Sequence, residues 1–429
     1  MADTSVDVVV QLAGQDVPAG RLWAHSGRGT ESATFEYLPE YLTRTDAYSL
    51  DPLLPMLAGQ QQTSAGRALF GALSDAAPDG WGRRLIAREE LHRASGEHRT
   101  PRSRTEIDFL LGVRDDLRQG ALRFRDPESG DYVAKSTGVP HLLELPRLLN
   151  AAEELERESE SDEDLRLLLE GGSSLGGARP KAHVRADGAL GIAKFPAPAG
   201  DSWNVIRWEA VSLTLASRAG ISVPQFALHA VAGRPVLIVQ RFDRHDDERI
   251  GYLSAMTLLE AADGDGRSYV EIAEAIEEHS PSAAVDLREL WRRMVFSRLI
   301  SNTDDHLRNH GFLRTSAAGW SLSPAFDLNP NPQPGGTRFS TVVDEGREGE
   351  NDIDVALDVA SMFRLTPDEA LGVLAEVVSA VSCWTDVAKA LGVASREIDR
   401  MSGAFTTASA EAAARGIAAI RPEHYDPGG

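Results

Sequence analysis

The chain contains one cysteine, Cys383, among 429 residues. A single thiol cannot form an intramolecular disulfide, so the fold does not depend on a covalent framework. The N-terminus also lacks a basic segment followed by an apolar run, since its first basic residue is Arg21. No uninterrupted apolar stretch approaches the roughly 20 residues that a transmembrane helix needs. These absences predict a cytoplasmic protein with no membrane partner.

Positive charge is scarce as well. The chain has 44 Lys and Arg residues against 65 Asp and Glu, giving a formal net charge of −21. Affinity for nucleic acid comes largely from neutralising phosphates, so this balance argues against a main DNA-binding subunit. The charge could equally serve solubility alone. The length, with 42% hydrophobic and 25% charged residues, is typical of a soluble globular protein of two or three packed units.

Two metal- and phosphate-binding motifs are incomplete. Gly172 and Gly177 have the spacing of a Walker A loop, but Ala178 and Arg179 follow where the motif requires Lys and Ser or Thr. His306 and His310 stand four residues apart, yet no Glu follows His306 to complete the His-Glu-x-x-His zinc motif. The sequence therefore argues against a P-loop NTPase and against a zinc hydrolase.

Two neighbouring segments, 301–309 and 323–328, carry the residue types of a phosphoryl-transfer site. Asp304 can accept the proton of an attacking hydroxyl. Asn309 and Asp327 offer hard oxygen ligands to a Mg²⁺ ion that bridges ATP phosphates. Any one such residue in a loop could be a solvated or capping group, so the prediction of a kinase site depends on motifs further upstream.

A glycine-rich turn at 171–181 and a lysine in an apolar segment supply those motifs. The small residues of the turn would let backbone N–H groups approach phosphate oxygens closely. Lys194 lies in a predicted strand, 190–195, where a desolvated charge needs an anion such as an ATP phosphate, unless it snorkels from the strand end into water. Glu209 could pair with Lys194 or lie on the surface.

The pattern of apolar residues predicts the secondary structure around these motifs. β-Branched and aromatic content predicts strands at 6–12, 33–38, 181–184, 190–195 and 234–240. Helical spacing predicts helices over 64–95, with a break at 77–80, and over 204–220 and 287–299. Thr366, Pro367 and Glu369 predict a capping box at the start of another helix.

Taken together, the motifs resemble the HipA family of bacterial serine/threonine kinases, the toxins of HipA/HipB toxin–antitoxin systems. The resemblance rests on the Gly-Ser-Ser-Leu-Gly-Gly-Ala-Arg-Pro-Lys run, on Lys194 in Ile-Ala-Lys-Phe-Pro, on Gln240–Arg244, and on the Asp304-x-His306-x-x-Asn309 and Ser-Pro-Ala-Phe-Asp327 segments. These motifs occur in the family's order between about residues 170 and 330, and the N-terminal Pro-Asp-Gly-Trp-Gly-Arg-Arg at 78–84 also matches. The resemblance thus covers most of the chain.

The resemblance implies an α+β, two-lobed protein-kinase-like fold with an additional N-terminal subdomain. We expect the N-terminal subdomain at 1–135, a β-rich nucleotide lobe with the glycine-rich loop and hinge at 136–253, and an α-helical catalytic lobe at 254–429. The implied reaction is ATP- and Mg²⁺-dependent transfer of a phosphoryl group to a serine or threonine of a protein.

It also implies a role for individual residues. Asp304 would be the catalytic base, and Asn309 and Asp327 would be the Mg²⁺ ligands. Gln240 departs from the glutamate that is common in the family, and this leaves the role of its side chain open. Ser174, with Ser173 as a second candidate, would be autophosphorylated, which would displace the loop and switch the enzyme off. The implied ATP-binding residues are Ser174, Gly176, Gly177, Ala178, Arg179, Lys181, Lys194, Gln240, Phe242 and His306.

The implied partners are a HipB-like DNA-binding antitoxin, through which most contacts with nucleic acid would be made, and a protein substrate. Known family targets include aminoacyl-tRNA synthetases, whose modification halts translation, but no residue here identifies the target or the antitoxin. Two alternatives stay open. One is a kinase of small metabolites on the same scaffold, and the other is a non-catalytic ATP-binding partner of the antitoxin that only regulates transcription.

Overall fold

The structure is a computed structural model that describes residues 4–27, 29–134, 139–172, 174, 177–186, 188–197, 202–246, 248–333 and 338–420. Ser173 and Gly176, two residues of the predicted loop, lie outside the described residues. The chain forms two compact units. We call Met1–Asp201, Phe226–Glu260 and Leu313–Ala317 the N-terminal unit, and Ser202–Gln225, Ala261–Phe312 and Ala318–Gly429 the helical unit. The threefold division at 135 and 253 stays a prediction.

The strands are short and are concentrated in the first two thirds of the chain. In chain order they are β1 (Thr4–Leu12), β2 (Gln15–Ser26), β3 (Glu31–Tyr37), β4 (Gln60–Gln62), β5 (Leu122–Arg125), β6 (Lys181–Ala186), β7 (Ala189–Lys194), β8 (Phe226–Val231), β9 (Arg234–Gln240), β10 (Arg244–His245), β11 (Glu248–Arg249), β12 (Gly251–Ser254), β13 (Arg267–Ser268), β14 (Gly311–Ser316), β15 (Gly319–Leu322) and β16 (Thr341–Val342).

The helices dominate the last third of the chain. They are α1 (Pro39–Leu42), α2 (Gly71–Asp75), α3 (Gly80–Gly96), α4 (Glu106–Gly112), α5 (Leu145–Glu156), α6 (Asp162–Gly172), α7 (Val205–Arg218), α8 (Ala255–Leu258), α9 (Tyr269–His279), α10 (Ala283–Leu299), α11 (Asp352–Asp358), α12 (Pro367–Ser382), α13 (Trp384–Ala390), α14 (Ser395–Phe405) and α15 (Ala408–Ile420).

The first sheet of the N-terminal unit has five antiparallel strands in the order β4-β3-β2-β1-β5. The structure confirms the strands predicted at 6–12 and 33–38, because β1 and β3 cover those positions. The sequence did not predict β2, whose Pro18 argues against a central strand. The structure accommodates Pro18 opposite Val9, where the β1–β2 register shifts between Val8 and Val9.

The second sheet of this unit, antiparallel in the order β6-β7-β9-β8, carries the predicted nucleotide-binding residues. It confirms the strands predicted at 181–184, 190–195 and 234–240. Behind it lies a core of fully buried side chains that includes Trp81, Leu148, Phe195 and Val236. Because Trp81 belongs to α3, the N-terminal segment and the nucleotide sheet share one hydrophobic core.

The helical unit confirms most of the predicted helices. Asn204 caps α7 by accepting the Arg207 N–H at 3.0 Å, and Thr366 and Glu369 form the predicted capping box of α12. Helix α10 buries Trp291, whose indole N–H donates to the Ala356 carbonyl at 3.0 Å.

In the N-terminal unit, the helix predicted over 64–95 begins only with α2 at Gly71. The turn at Pro78 then separates α2 from α3, at the predicted break.

Within the described ranges, no single helix has the length and apolar composition to cross a membrane, although α12 and α13, bent by 42°, meet that criterion when taken together.

Candidate active site

The glycine-rich turn joins α6 to β6 in the N-terminal unit. Gly177 has φ +72°, a left-handed conformation that a glycine adopts without strain. Gly177 and Ala178 are exposed, whereas Ser174 is only 8% exposed and its hydroxyl has no hydrogen-bond partner among the described residues. The turn therefore presents backbone at the surface and holds the predicted phosphorylation site inside.

Two lysines face each other directly across the first two strands of the nucleotide sheet. Lys181 on β6 pairs with Lys194 on β7 in the antiparallel register, so both half-buried side chains project to the same face. A methyl group placed on Gly177 would stand 2.7 Å from Lys181 Nζ, so the ammonium lies close to the glycine-rich turn. This register places two positive charges at directly opposite positions on one face of the sheet.

The hinge, which the family resemblance implies at 240–242, lies at the end of β9. Gln240 lies opposite Gly191 of β7, and Phe242 packs against Tyr252 with ring centroids 6.5 Å apart. The Arg241 N–H donates to the Leu190 carbonyl at 2.9 Å, which continues the β7–β9 ladder by one residue. The backbone path of the hinge is thus fixed by strand pairing, while the Gln240 side chain stays only partly buried.

A buried polar network connects the hinge to the turn. Arg241 Nη1 donates to His183 Nε2 at 2.9 Å, so the other ring nitrogen of His183 carries the proton and donates to the Gly171 carbonyl at 2.9 Å. Burial and the nearby Arg241 charge hold the pKa of His183 well below its ordinary value. Arg241 also donates to both Asp243 oxygens and to the Leu117 carbonyl. A neutral histidine therefore links the hinge to the start of the glycine-rich turn.

In the helical unit, the segment 301–309, named the catalytic loop after its predicted role, follows α10. Its backbone turns sharply at Ser301, which has φ +53° and whose hydroxyl donates to the Ala404 carbonyl at 2.7 Å. Asn309 folds back over the loop: its side-chain amide donates to the Asp304 carbonyl at 3.0 Å, and its N–H donates to the His306 carbonyl at 2.8 Å. These bonds bring three of the predicted site residues, Asp304, His306 and Asn309, into one short loop.

Asp327 belongs to the same local group of charges. Partial burial raises the pKa of Asp304, and the carboxylates of Asp327 and Asp305 raise it further against the opposing effect of His306. Asp327 has φ +57°, a strained conformation for a residue with a side chain, and its Oδ1 accepts from Asn329 Nδ2 at 3.2 Å. Residues held in this region of backbone space often belong to functional sites.

The carboxylate of Asp327 and the amide of Asn309 have the oxygen chemistry that Mg²⁺ prefers. The carboxylates of Asp327 and Asp305 raise the pKa of Asp304, and a divalent cation would offset the repulsion among these charges. Among the described residues, no three His, Cys, Asp or Glu side chains are grouped to hold a metal ion. Asn309 and Asp327 would contribute two oxygen ligands, and Mg²⁺ ordinarily completes its shell with phosphate oxygens and water.

The sequence did not predict the buried support of this loop. Asp305 lies directly after Asp304, but it is 3% exposed, accepts a hydrogen bond from the Tyr269 hydroxyl, and forms an ion pair with His310 Nε2 at 3.2 Å. Burial works to raise the pKa of Asp305, yet the His310 charge and the hydrogen bonds lower it to about 2. His310, considered above as a metal ligand, supports the loop instead. In the sequence, the one sign of this support was that Asp305 directly follows Asp304, since two adjacent carboxylates can have different roles.

We expect Asp305→Asn to reduce the free energy of unfolding by about 2 kcal/mol at neutral pH, which corresponds to the lowering of its pKa from 3.8 to about 2. Since the folded-state pKa is the lower one, this stability is present above about pH 4 and is lost as the pH falls towards 2. Denaturant unfolding of both proteins across this range measures it. A difference that stays constant between neutral pH and pH values near the folded-state pKa would contradict the assignment.

The segment after Asp327 is bonded to the catalytic loop. The Asn331 N–H donates to the Ser301 carbonyl at 3.1 Å, and the Ser340 N–H donates to the Thr303 carbonyl at 3.0 Å. The Thr341 hydroxyl, in β16, donates to the Asp305 carbonyl at 2.6 Å. The described residues of this segment are therefore attached to the loop on both sides of Asp304.

Comparison with known proteins supports the same family at both ends of the chain. Residues 10–124 match the HipA N-terminal domain and residues 173–385 match the HipA-like C-terminal domain. The fold is similar to that of a chain in the HipA, HipB and operator DNA complex of the Shewanella oneidensis MR-1 toxin–antitoxin system. That match has a TM-score of 0.63 at 13% identity and covers 98% of this chain and 100% of that one.

Two curated relatives are named as kinases. A "Putative kinase" from Haemophilus influenzae is 26% identical over 143 residues, which are 29% of this chain and 42% of the relative. "Putative kinase Y4dM" from Sinorhizobium fredii is 28% identical over 160 residues, which are 34% of this chain and 39% of the relative. The chain thus spans about two fifths of the length of these relatives.

Proposed function

The chain belongs to the HipA family, and we propose that it is an ATP- and Mg²⁺-dependent kinase that phosphorylates a serine or threonine of a protein. The observation that carries this proposal is the catalytic loop, in which Asn309 folds onto the Asp304 backbone while Asp327 lies near enough to perturb the Asp304 carboxyl. A base beside two hard oxygen ligands is the arrangement that phosphoryl transfer to a hydroxyl requires.

In the proposed reaction, Asp304 accepts the proton of the substrate hydroxyl as the oxygen bonds to the γ-phosphorus of ATP. The bond between that phosphorus and the β,γ-bridging oxygen breaks, and ADP leaves with its electron pair. The raised pKa of Asp304 suits this role, because a base is most effective when its pKa approaches the working pH. Asp305 and its buried partners hold the loop that aims Asp304.

The residues of the N-terminal unit would bind the nucleotide. Lys181 and Lys194 would contact the phosphates, the hinge at Gln240 and Phe242 would contact adenine, and the turn would cover the phosphate chain. Mg²⁺, held by Asn309 and Asp327, would neutralise the charge that develops on the phosphates. His306 would contribute from the catalytic loop to ATP binding.

We further propose that a HipB-like antitoxin is the physiological partner. The Shewanella complex contains HipA, HipB and operator DNA. A net charge of −21 is unsuited to direct DNA binding but complements a basic DNA-binding partner. With such a partner, the proposed location is the cytoplasm, the proposed substrate is a translation-related protein, and the proposed outcome is growth inhibition.

The proposed function predicts that wild-type protein, incubated with Mg²⁺, ATP labelled on the γ-phosphate and cell lysate, will label serine or threonine of at least one protein. Asp304→Asn protein is the matched control and should label none. Label confined to small hydroxylated compounds would favour the metabolite kinase instead. ATP binding without any transfer would favour the regulatory, non-catalytic reading.

A further inference from the structure

The segment Pro78–Trp81, which leads into α3, is bonded to the glycine-rich turn of the same unit. The Gly177 N–H donates to Asp79 Oδ1, and the Gly177 carbonyl accepts the Trp81 N–H at 2.7 Å. Both backbone polar groups of Gly177 are therefore taken by one short segment nearly a hundred residues earlier in the chain. The two peptide groups that flank the Gly177 Cα are thus each bonded to this segment, and neither can rotate without breaking a hydrogen bond.

The next residue of the turn is held in the same way. Arg84, one turn into α3, donates from Nη2 to the Ala178 carbonyl at 2.9 Å. Its guanidinium lies over the Trp81 ring, 5.0 Å from the centroid, and bonds Glu156 of α5 at 2.7 Å. These contacts hold Arg84 in place, so the Ala178 carbonyl has a fixed donor.

Close packing leaves the turn little space to shift toward α3. A Cβ at Gly80 would overlap the Gly177 carbonyl, and a Cβ at Gly172 would stand 2.8 Å from a Leu85 methyl carbon and 3.1 Å from Trp81 Nε1. Trp81 and Leu85 are themselves fully buried in the core behind the nucleotide sheet. Glycine is therefore required at both positions for the two backbones to approach this closely.

We propose that Asp79 is a positioning residue for ATP: by bonding the Gly177 N–H, it fixes the glycine-rich turn beside Lys181 and Lys194 in the conformation that receives the phosphates. This inference rests on the proposed function. The alternative role for a carboxylate on a loop N–H is to occupy the place of a phosphate oxygen and compete with ATP. The Trp81 and Arg84 bonds favour support over competition, because they engage two carbonyl oxygens of the same turn, and these acceptors are not groups to which a phosphate could bind.

Steady-state kinetics with full-length protein test the inference. Asp79→Ala should raise the KM for ATP about tenfold, the factor expected for loss of one hydrogen bond to a charged group, while kcat changes little. Asp79→Asn retains an acceptor oxygen and should keep a KM near the wild-type value. Gly80→Ala, which pushes on the Gly177 carbonyl, should raise the KM as Asp79→Ala does. Asp46→Ala is the control for loss of an exposed carboxylate in the same unit, where Asp46 accepts two hydrogen bonds from Arg44 at 2.8 Å.

Hydrogen exchange supplies a readout that does not need turnover. In Asp79→Ala, amides of the segment 177–182 should exchange faster than in wild type, with the melting temperature little changed. An unchanged KM in Asp79→Ala, or a lower one as competition requires, would overturn the inference while leaving the kinase proposal intact. If wild-type protein binds no ATP, both the proposed function and this inference fail, and the wild-type measurement distinguishes that case.

Discussion

Asp304→Asn is expected to reduce phosphoryl transfer by roughly 10²–10⁴-fold, the usual range for loss of a general base, while ATP binding is retained. Asparagine keeps the shape of the side chain but cannot accept the hydroxyl proton. The Asn309 amide bonds the Asp304 backbone rather than its carboxylate, so the fold of the loop should survive the change. Turnover by wild-type and variant protein at saturating ATP measures the effect.

The stability of Asp304→Asn gives a second test, because its expected change is opposite in sign to that of Asp305→Asn. Because the folded-state pKa of Asp304 is raised, the ionised carboxylate is less favourable in the folded protein than in the unfolded chain. The stability linked to its protonated form is present below the unfolded pKa and is lost as the pH rises through the folded pKa. At neutral pH, Asp304→Asn should therefore be at least as stable as wild type, whereas Asp305→Asn should be less stable.

Asp327→Asn is the matched comparison for the chemistry. Losing a hard anionic ligand should weaken Mg²⁺-dependent ATP binding, which Asp304→Asn should leave in place. Near-wild-type turnover in a folded Asp304→Asn protein would exclude Asp304 as the base. Loss of ATP binding in Asp304→Asn and not in Asp327→Asn would mean that the two roles were assigned the wrong way round.

The parts of the site that could be predicted from the sequence are those in which chemistry and position are encoded locally. Asp304 and Asn309 lie within one loop, so their spacing alone placed them together. Lys194 was predicted to need an anion because its strand is apolar. The structure adds that Lys181 lies directly opposite it, which follows from the β6–β7 hairpin register.

The parts that could not be predicted depend on contacts between distant segments. Asp79 bonds Gly177 across 98 residues, and no local pattern encodes that pairing. The acidic run at 153–164 has the composition of a solvated helix face or link, yet Glu160 is 8% exposed and pairs with Arg88. Glu209, left open between a paired and a surface position, is 3% exposed, which excludes the surface position. The burial of Glu160 and Glu209, like the bond of Asp79, is set by tertiary packing and not by the local sequence.

Ser174, which the family resemblance implies is autophosphorylated, is buried, and its burial changes what phosphorylation there would require. The Ser174 hydroxyl is enclosed and without a hydrogen-bond partner among the described residues. It cannot reach the γ-phosphate of a bound ATP while it stays enclosed, so the turn must open before transfer. Gly177, three residues further on, is bonded to Asp79 and Trp81, and an opening that extends to Gly177 would break those bonds.

We expect incubation with Mg²⁺ and ATP to place a phosphate on Ser174, or else on Ser173. The modified protein should bind ATP about 100-fold more weakly than the unmodified form, an effect of the size expected when a charge is left without a compensating partner. A phosphoserine carries about −1.5 to −2 charge at neutral pH. Neither the enclosed position of Ser174 nor a site that receives nucleotide phosphates can hold that charge, so the turn should stay open after modification. Faster hydrogen exchange of the segment 177–182 in the modified protein would report the opening.

Mass spectrometry and ATP titration of three proteins decide this prediction. Wild type should acquire the phosphate and lose ATP affinity, Ser174→Ala should keep its affinity after the same incubation, and Asp304→Asn should acquire no phosphate. Phosphate on Ser174 in both wild type and Asp304→Asn would mean that another kinase placed it there. Phosphate on Ser174 with unchanged ATP affinity would show that the buried position is not part of a switch, because the charge would then be accommodated without displacing the turn.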